Sequence, residues 1–206
     1  MNAQEAQNIK WSENIIIVDG DYIDHVAFDL IVNFERMLNR RIPAADFSQW
    51  VVNIALDGRL KPGNHETQVV LLHDKQNPKL ENFAPADYAK ELNGQAFKDS
   101  QLGEFIINAI ATDDEVAEKD NVLLDLLKTV LSHEEVKRIM LVPNAEDSHL
   151  ISTLRSTLRD ADDELKHITL FAMQPLEGGN FKQQILGYSL LNAMGISSSE
   201  IEQKIK

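Results

Sequence analysis

Seven acidic residues stand at or just past the ends of apolar runs: Asp19, Asp21, Asp74, Asp113, Asp114, Glu146 and Asp147. In the first run, Asn14-Ile15-Ile16-Ile17-Val18 leads straight into Asp19-Gly20-Asp21. A run without polar alternation is the pattern of a strand covered on both faces, as in a parallel sheet flanked by helices. Ligands of such sheets bind at the carboxyl ends of the strands, near a topological switch point. Carboxylates gathered there present oxygen donors and negative charge to whatever binds.

The elements that would position these acids follow from periodicity. Apolar residues at Val26, Ala27, Leu30, Ile31, Phe34, Met37 and Leu38 predict a helix from Asp24, as N-cap, to Asn39. Pro43 suits the first turn of a second helix running through Phe47, Trp50, Val51, Ile54 and Ala55. Gln68 to Asp74 is the second strand, and Glu104 to Ala111 reads as the third because Gly103 precedes it and Thr112-Asp113-Asp114 follows. A helix capped by Asp120 is expected over Asn121 to Ser132, then a strand from Lys137 to Pro143. Asn144 to Glu146 turn into a helix carrying Leu150, Ile151, Leu154 and Leu158, and His167 to Met173 form a last strand. Two tail helices are predicted, about Phe181 to Met194 and Ser198 to Ile205, broken at Gly195. Alternating strands and helices give an α/β fold with a mainly parallel central sheet wrapped on both faces. Right-handed crossovers place every strand's carboxyl end on one edge. The chain reads as a single domain over 1–206, with a core at about 14–175 and a helical appendage at about 180–206.

Composition narrows the functions available. No apolar run approaches the roughly 18 residues of a membrane span. The opening Met-Asn-Ala-Gln-Glu-Ala-Gln-Asn-Ile-Lys lacks the basic start and apolar core of a secretion signal, so cytoplasmic residence is expected. Cysteine is absent, which removes disulfides, thiolate nucleophiles and cysteine metal sites. A net charge of -13 works against loose binding to nucleic acid, although a local basic patch can coexist with it. The compact cluster of Arg36 with Arg40-Arg41 ends a helix, where cations complement the dipole. Six histidines are scattered without zinc spacing, and no Gly-x-Ser-x-Gly elbow is present. Trp11 and Trp50 read as packing residues and the tail helices as a cover for the domain, and a homodimer is expected.

The element order and acidic positions resemble the PIN-like nuclease superfamily, in particular its NYN branch. Ile16-Ile17-Val18-Asp19-Gly20-Asp21 matches the first motif of that family, a hydrophobic strand ending in aspartate, glycine and a polar residue. Lys119-Asp120-Asn121-Val122-Leu123-Leu124-Asp125 is similar to its middle motif, with closer spacing between the acids. Leu141-Val142-Pro143-Asn144-Ala145-Glu146-Asp147-Ser148 stands where a third motif would fall. There Asp147 has a counterpart and Glu146 is a substitute neighbour, while Pro143, Asn144 and Ala145 replace a serine, a glycine and an aspartate.

The resemblance implies a three-layer α/β/α sandwich and an acidic site for Mg²⁺ or Mn²⁺, hard ions that prefer oxygen ligands. Its implied ligands are Asp19, Asp21, Asp120, Asp125, Glu146 and Asp147, with Asp19 and Asp147 central to hydrolysis of a phosphodiester, RNA being the implied substrate. The same acids also read as caps and solvated faces: Asp120 and Asn144 as N-caps, Glu146 and Asp147 in a favourable helix dipole, Asp125 on a polar stripe with Asn121, Lys128 and Thr129. Two functions follow, a metal-dependent ribonuclease and a catalytically silent binding or regulatory module of the same fold.

Overall fold

The computed structural model describes residues 10–113, 116–161 and 165–205. The chain runs through β1 (Asn14–Asp19), α1 (Gly20–Leu38), a short β2 (Ala45–Asp46), α2 (Phe47–Asp57) and β3 (His65–Asp74). A two-residue β4 (Phe83–Ala84), a π-helical turn (Tyr88–Leu92) and β5 (Ala96–Asp99) lead into β6 (Gly103–Thr112). Next come α3 (Val116–Ser132), β7 (Arg138–Val142), α4 (Ser148–Leu158) and β8 (His167–Ala172). The chain closes with β9 (Lys182–Ile185), α5 (Leu186–Ala193) and α6 (Ser198–Ile205).

Seven strands form the main sheet in the order β5-β6-β3-β1-β7-β8-β9, parallel except for the β5–β6 pair. β1 lies at the centre, with Val18 beside Leu71 of β3 and Val142 of β7. All six of its residues are buried, which is why the run carries no polar alternation. Ile16 and Val18 face a core made with α1, α2 and α5, whereas Ile15 and Ile17 face a second core made with α3 and α4. The result is a three-layer α/β/α sandwich. Trp11 and Trp50 are packed inside these cores. Among the described residues no helix is long and apolar enough to cross a membrane.

Several boundaries differ from the sequence reading, each for a local reason. α1 begins at Gly20 rather than Asp24, because the Asp19 carboxylate accepts from Tyr22 N at 3.0 Å and caps the helix directly. α2 starts at Phe47, capped by Asp46 through Gln49 N, because Ala45–Asp46 are drawn into pairing with β4. α3 starts at Val116, which places Asp120 inside the helix and not at its cap. Asp147, not Asn144, caps α4, accepting from His149 N and Leu150 N. Residues 182–185 extend the sheet as β9 instead of opening the tail helix, and residues 75–100 hold β4, the π-helical turn and β5. α6 is fastened to the end of α1 by Arg40, whose Nε donates to Glu200 at 2.7 Å.

Candidate functional site

With β3 on one side of β1 and β7 on the other, the switch point of the sheet lies at the carboxyl end of β1. Asp19 ends that strand and is 2% exposed. Gly20 and Asp21 open α1 immediately after it, so the first motif folds into a strand-to-helix corner. From the opposite face α3 delivers Lys119. Its ammonium donates to Asp19 Oδ1 at 2.8 Å and to Asp21 Oδ2 at 2.7 Å. Asp21 also accepts from Asp74 N at 2.9 Å and, through Oδ1, from Asn77 Nδ2 at 2.9 Å. The two aspartates therefore tie β1, β3, the loop after β3 and α3 together around one lysine.

The electrostatics agree with this geometry. Burial works against the Lys119 ammonium, but the Asp19 charge and the hydrogen bonds to both aspartates outweigh it and raise its pKa. Burial pushes the Asp19 carboxyl up, opposed by the charge and hydrogen bond of Lys119 and by Tyr22 N–H. The two directions pull apart, since a raised aspartate favours the neutral acid and a raised lysine the ion. The contacts of 2.7 and 2.8 Å couple the charges, so the ammonium offsets part of what burial costs the Asp19 carboxylate. Asp120 is raised by burial and by the charges of Asp19 and Asp147, so the crevice toward α4 is negative as well. Tyr22, whose buried hydroxyl finds no partner among the described residues, is pushed up to about 12 by burial and the charges of Glu146 and Asp19.

On the β3 side the corner is sealed by the π-helical turn. Tyr88 stacks on His73 at 3.8 Å with the rings 7° apart. His73 Nδ1 reaches the carbonyls of Asp74 and Asn77 at 2.9 and 3.1 Å. The Tyr88 hydroxyl lies where a side chain on Gly20 would go: an added Cβ meets it at 2.3 Å and Leu72 O at 3.1 Å. The tyrosine is buried and held by stacking, so it cannot swing aside. Gly20→Ala is therefore expected to lower stability by about 1–3 kcal/mol through overpacking, read by urea unfolding; an unchanged midpoint would refute this packing. Outside Tyr88 opens a cleft of about 630 Å³ whose lining includes Asp21, Asp24, His25, Phe28 and Asn77.

The acids singled out in the sequence have different fates. Asp19 and Asp21 share Lys119. Asp120 stands near enough to Asp19 and to Asp147 to feel both charges. Asp125 is exposed and pairs with Lys128 on the outer face of α3. Glu146 is exposed in the loop before α4, its N–H donating to Asn144 Oδ1 at 3.2 Å. Asp74 turns back to accept from Gln76 N, Asp113 pairs with Lys75, and Asp114 lies outside the described residues. As arranged, the set does not fit a divalent ion. Asp21 has both oxygens engaged, Asp147 caps α4, and no group of three or more Asp, Glu or His side chains among the described residues could hold a metal. Lys119 is the participant whose role the sequence did not reveal. The signals were its place at the head of the stretch similar to the middle motif and its acidic surroundings, Asp113, Asp114, Glu115, Glu118 and Asp120.

Fold and site together define an α/β/α protein with a partly buried lysine–diaspartate cluster at the switch point of its sheet. The chain belongs to the family of unknown function DUF6621, which it matches over residues 8–201. No curated protein and no solved structure matches it.

Proposed function

We propose that this chain is a catalytically silent, PIN/NYN-like binding or regulatory module in which the Lys119 ammonium takes the place that a divalent ion holds in active relatives of that type. One observation carries the reading: Lys119 Nζ lies 2.8 Å from Asp19 and 2.7 Å from Asp21. A fixed ammonium satisfies the buried Asp19 and the half-buried Asp21 carboxylates, as a metal would, but carries one charge and offers no open coordination position for water. The altered third motif, Pro143-Asn144-Ala145, agrees with relaxed demands on chemistry.

A second reading, Mg²⁺- or Mn²⁺-dependent hydrolysis of RNA, is favoured by the shared field of Asp19, Asp120 and Asp147. It requires Lys119 to leave the aspartates. Incubation of the full chain with single-stranded RNA and Mn²⁺ separates the two. The silent module yields no cleavage above an Asp19→Ala control. Cleavage that the substitution abolishes would establish the nuclease.

A further inference from the structure

The amino-terminal edge of the sheet, opposite the acidic corner, carries the reverse charge. A cleft of about 360 Å³ opens there, with Lys61, Lys137, Arg138, His65 and His167 on its walls and Glu13 as the only acid among the described residues that line it. The strand register explains the convergence. Arg138 starts β7, paired with Asn14 of β1 on one side and His167 of β8 on the other, so all three side chains share one face of the sheet. Lys61 arrives from the loop after α2, whose end is fixed by Arg138 Nη1 donating to Gly58 O at 2.6 Å.

Carboxylate partners are missing here among the described residues, in a chain where 33 acids face 20 bases. Among the described residues none of Arg59, Lys61, Lys137 and Arg138 makes an ion pair. Arg138 is half-buried, and its Nε has no hydrogen-bond acceptor. Burial lowers its pKa, Glu13 opposes this, and the nearby Arg59 charge lowers it further. The Lys166 ammonium also stands close enough to feel Lys137. Unpaired cations of one sign crowded round a cleft repel one another, and an anion seated among them would relieve that repulsion. Donors arriving from a loop and two strands approach from different directions, which suits the tetrahedral oxygens of a phosphate. Leu60 and Leu165 supply an apolar wall for the rest of a small molecule, and the volume lies within the range of small-ligand sites.

We propose that this amino-edge cleft binds the phosphate group of a small phosphorylated ligand, with Lys61, Lys137 and Arg138 as its cationic contacts. The proposal is independent of whether the acidic corner is silent or active.

The test is calorimetric titration of the full chain with inorganic phosphate and with pyrophosphate at constant ionic strength. A Lys61→Gln/Lys137→Gln double variant runs beside it; both lysines are exposed and support no part of either core. Saturable one-to-one binding to the wild type is expected, and binding about tenfold weaker in a variant of unchanged unfolding temperature. Equal affinity in the variant, or no saturation by roughly 10 mM of either anion, would overturn it. So would binding of single-stranded RNA unaccompanied by any binding of phosphate or pyrophosphate.

Discussion

Lys119→Met is expected to lower the stability of the chain by about 3–5 kcal/mol at neutral pH, the usual consequence of removing one partner from a buried ion pair. Methionine keeps most of the unbranched apolar stem of lysine and is one atom shorter, so the effect is chiefly that of the lost charge. Asp19 is 2% exposed, and it would face Asp21 without a counter-ion. The sign of the pH dependence follows from the direction of its shift. The folded pKa of Asp19 is raised above 3.8 by burial. Its contribution to stability is then fully present below the unfolded value and is lost as pH rises through the folded one. Removing Lys119 deletes the two foremost influences opposing that rise, so the loss deepens at neutral pH. The gap between wild type and variant should be widest near pH 7 and should shrink as pH falls toward 4, in urea unfolding followed at several pH values. A gap constant across that range would mean that Asp19 does not depend on Lys119.

Tyr88→Ala is expected to be nearly as damaging, by about 3–5 kcal/mol, the range for emptying a large aromatic site. The ring is 2% exposed, stacks on His73, and closes against Gly20. Its loss leaves a cavity under the π-helical turn and frees the residues between β3 and β5. Amide hydrogen exchange should therefore accelerate over residues 75–95 beyond the global change. Uniform acceleration throughout the chain would show that the turn is not a local clamp on the site. Single-turn π-helical irregularities often mark functional positions, and here the irregularity aims a tyrosine at the switch-point corner.

Some of this was legible in the sequence because the physics was local. β1 announced itself by four consecutive buried aliphatics, and the parallel sheet followed from the alternation of strands with helices. Asp19 was visible as the end of that strand. Its second role as the cap of α1 was hidden, because strand and helix meet at one residue without a linker. β9 was missed because Lys182-Gln183-Gln184 is a polar run and its membership of the sheet comes from pairing with β8. The lysine at the acidic corner and the cations at the opposite edge were illegible for a different reason. Lys119 lies 100 residues from Asp19, and Lys61, Arg138 and His167 begin or precede separate strands. Only the crossover topology brings either group together.

Whether Lys119 is the resident cation of the acidic corner is tested most directly by calorimetric titration of Mn²⁺ into the wild-type chain. No binding is predicted up to millimolar metal, because an ammonium held by two carboxylates must first be displaced. One-to-one Mn²⁺ binding to the wild type, abolished by Asp19→Ala, would contradict it.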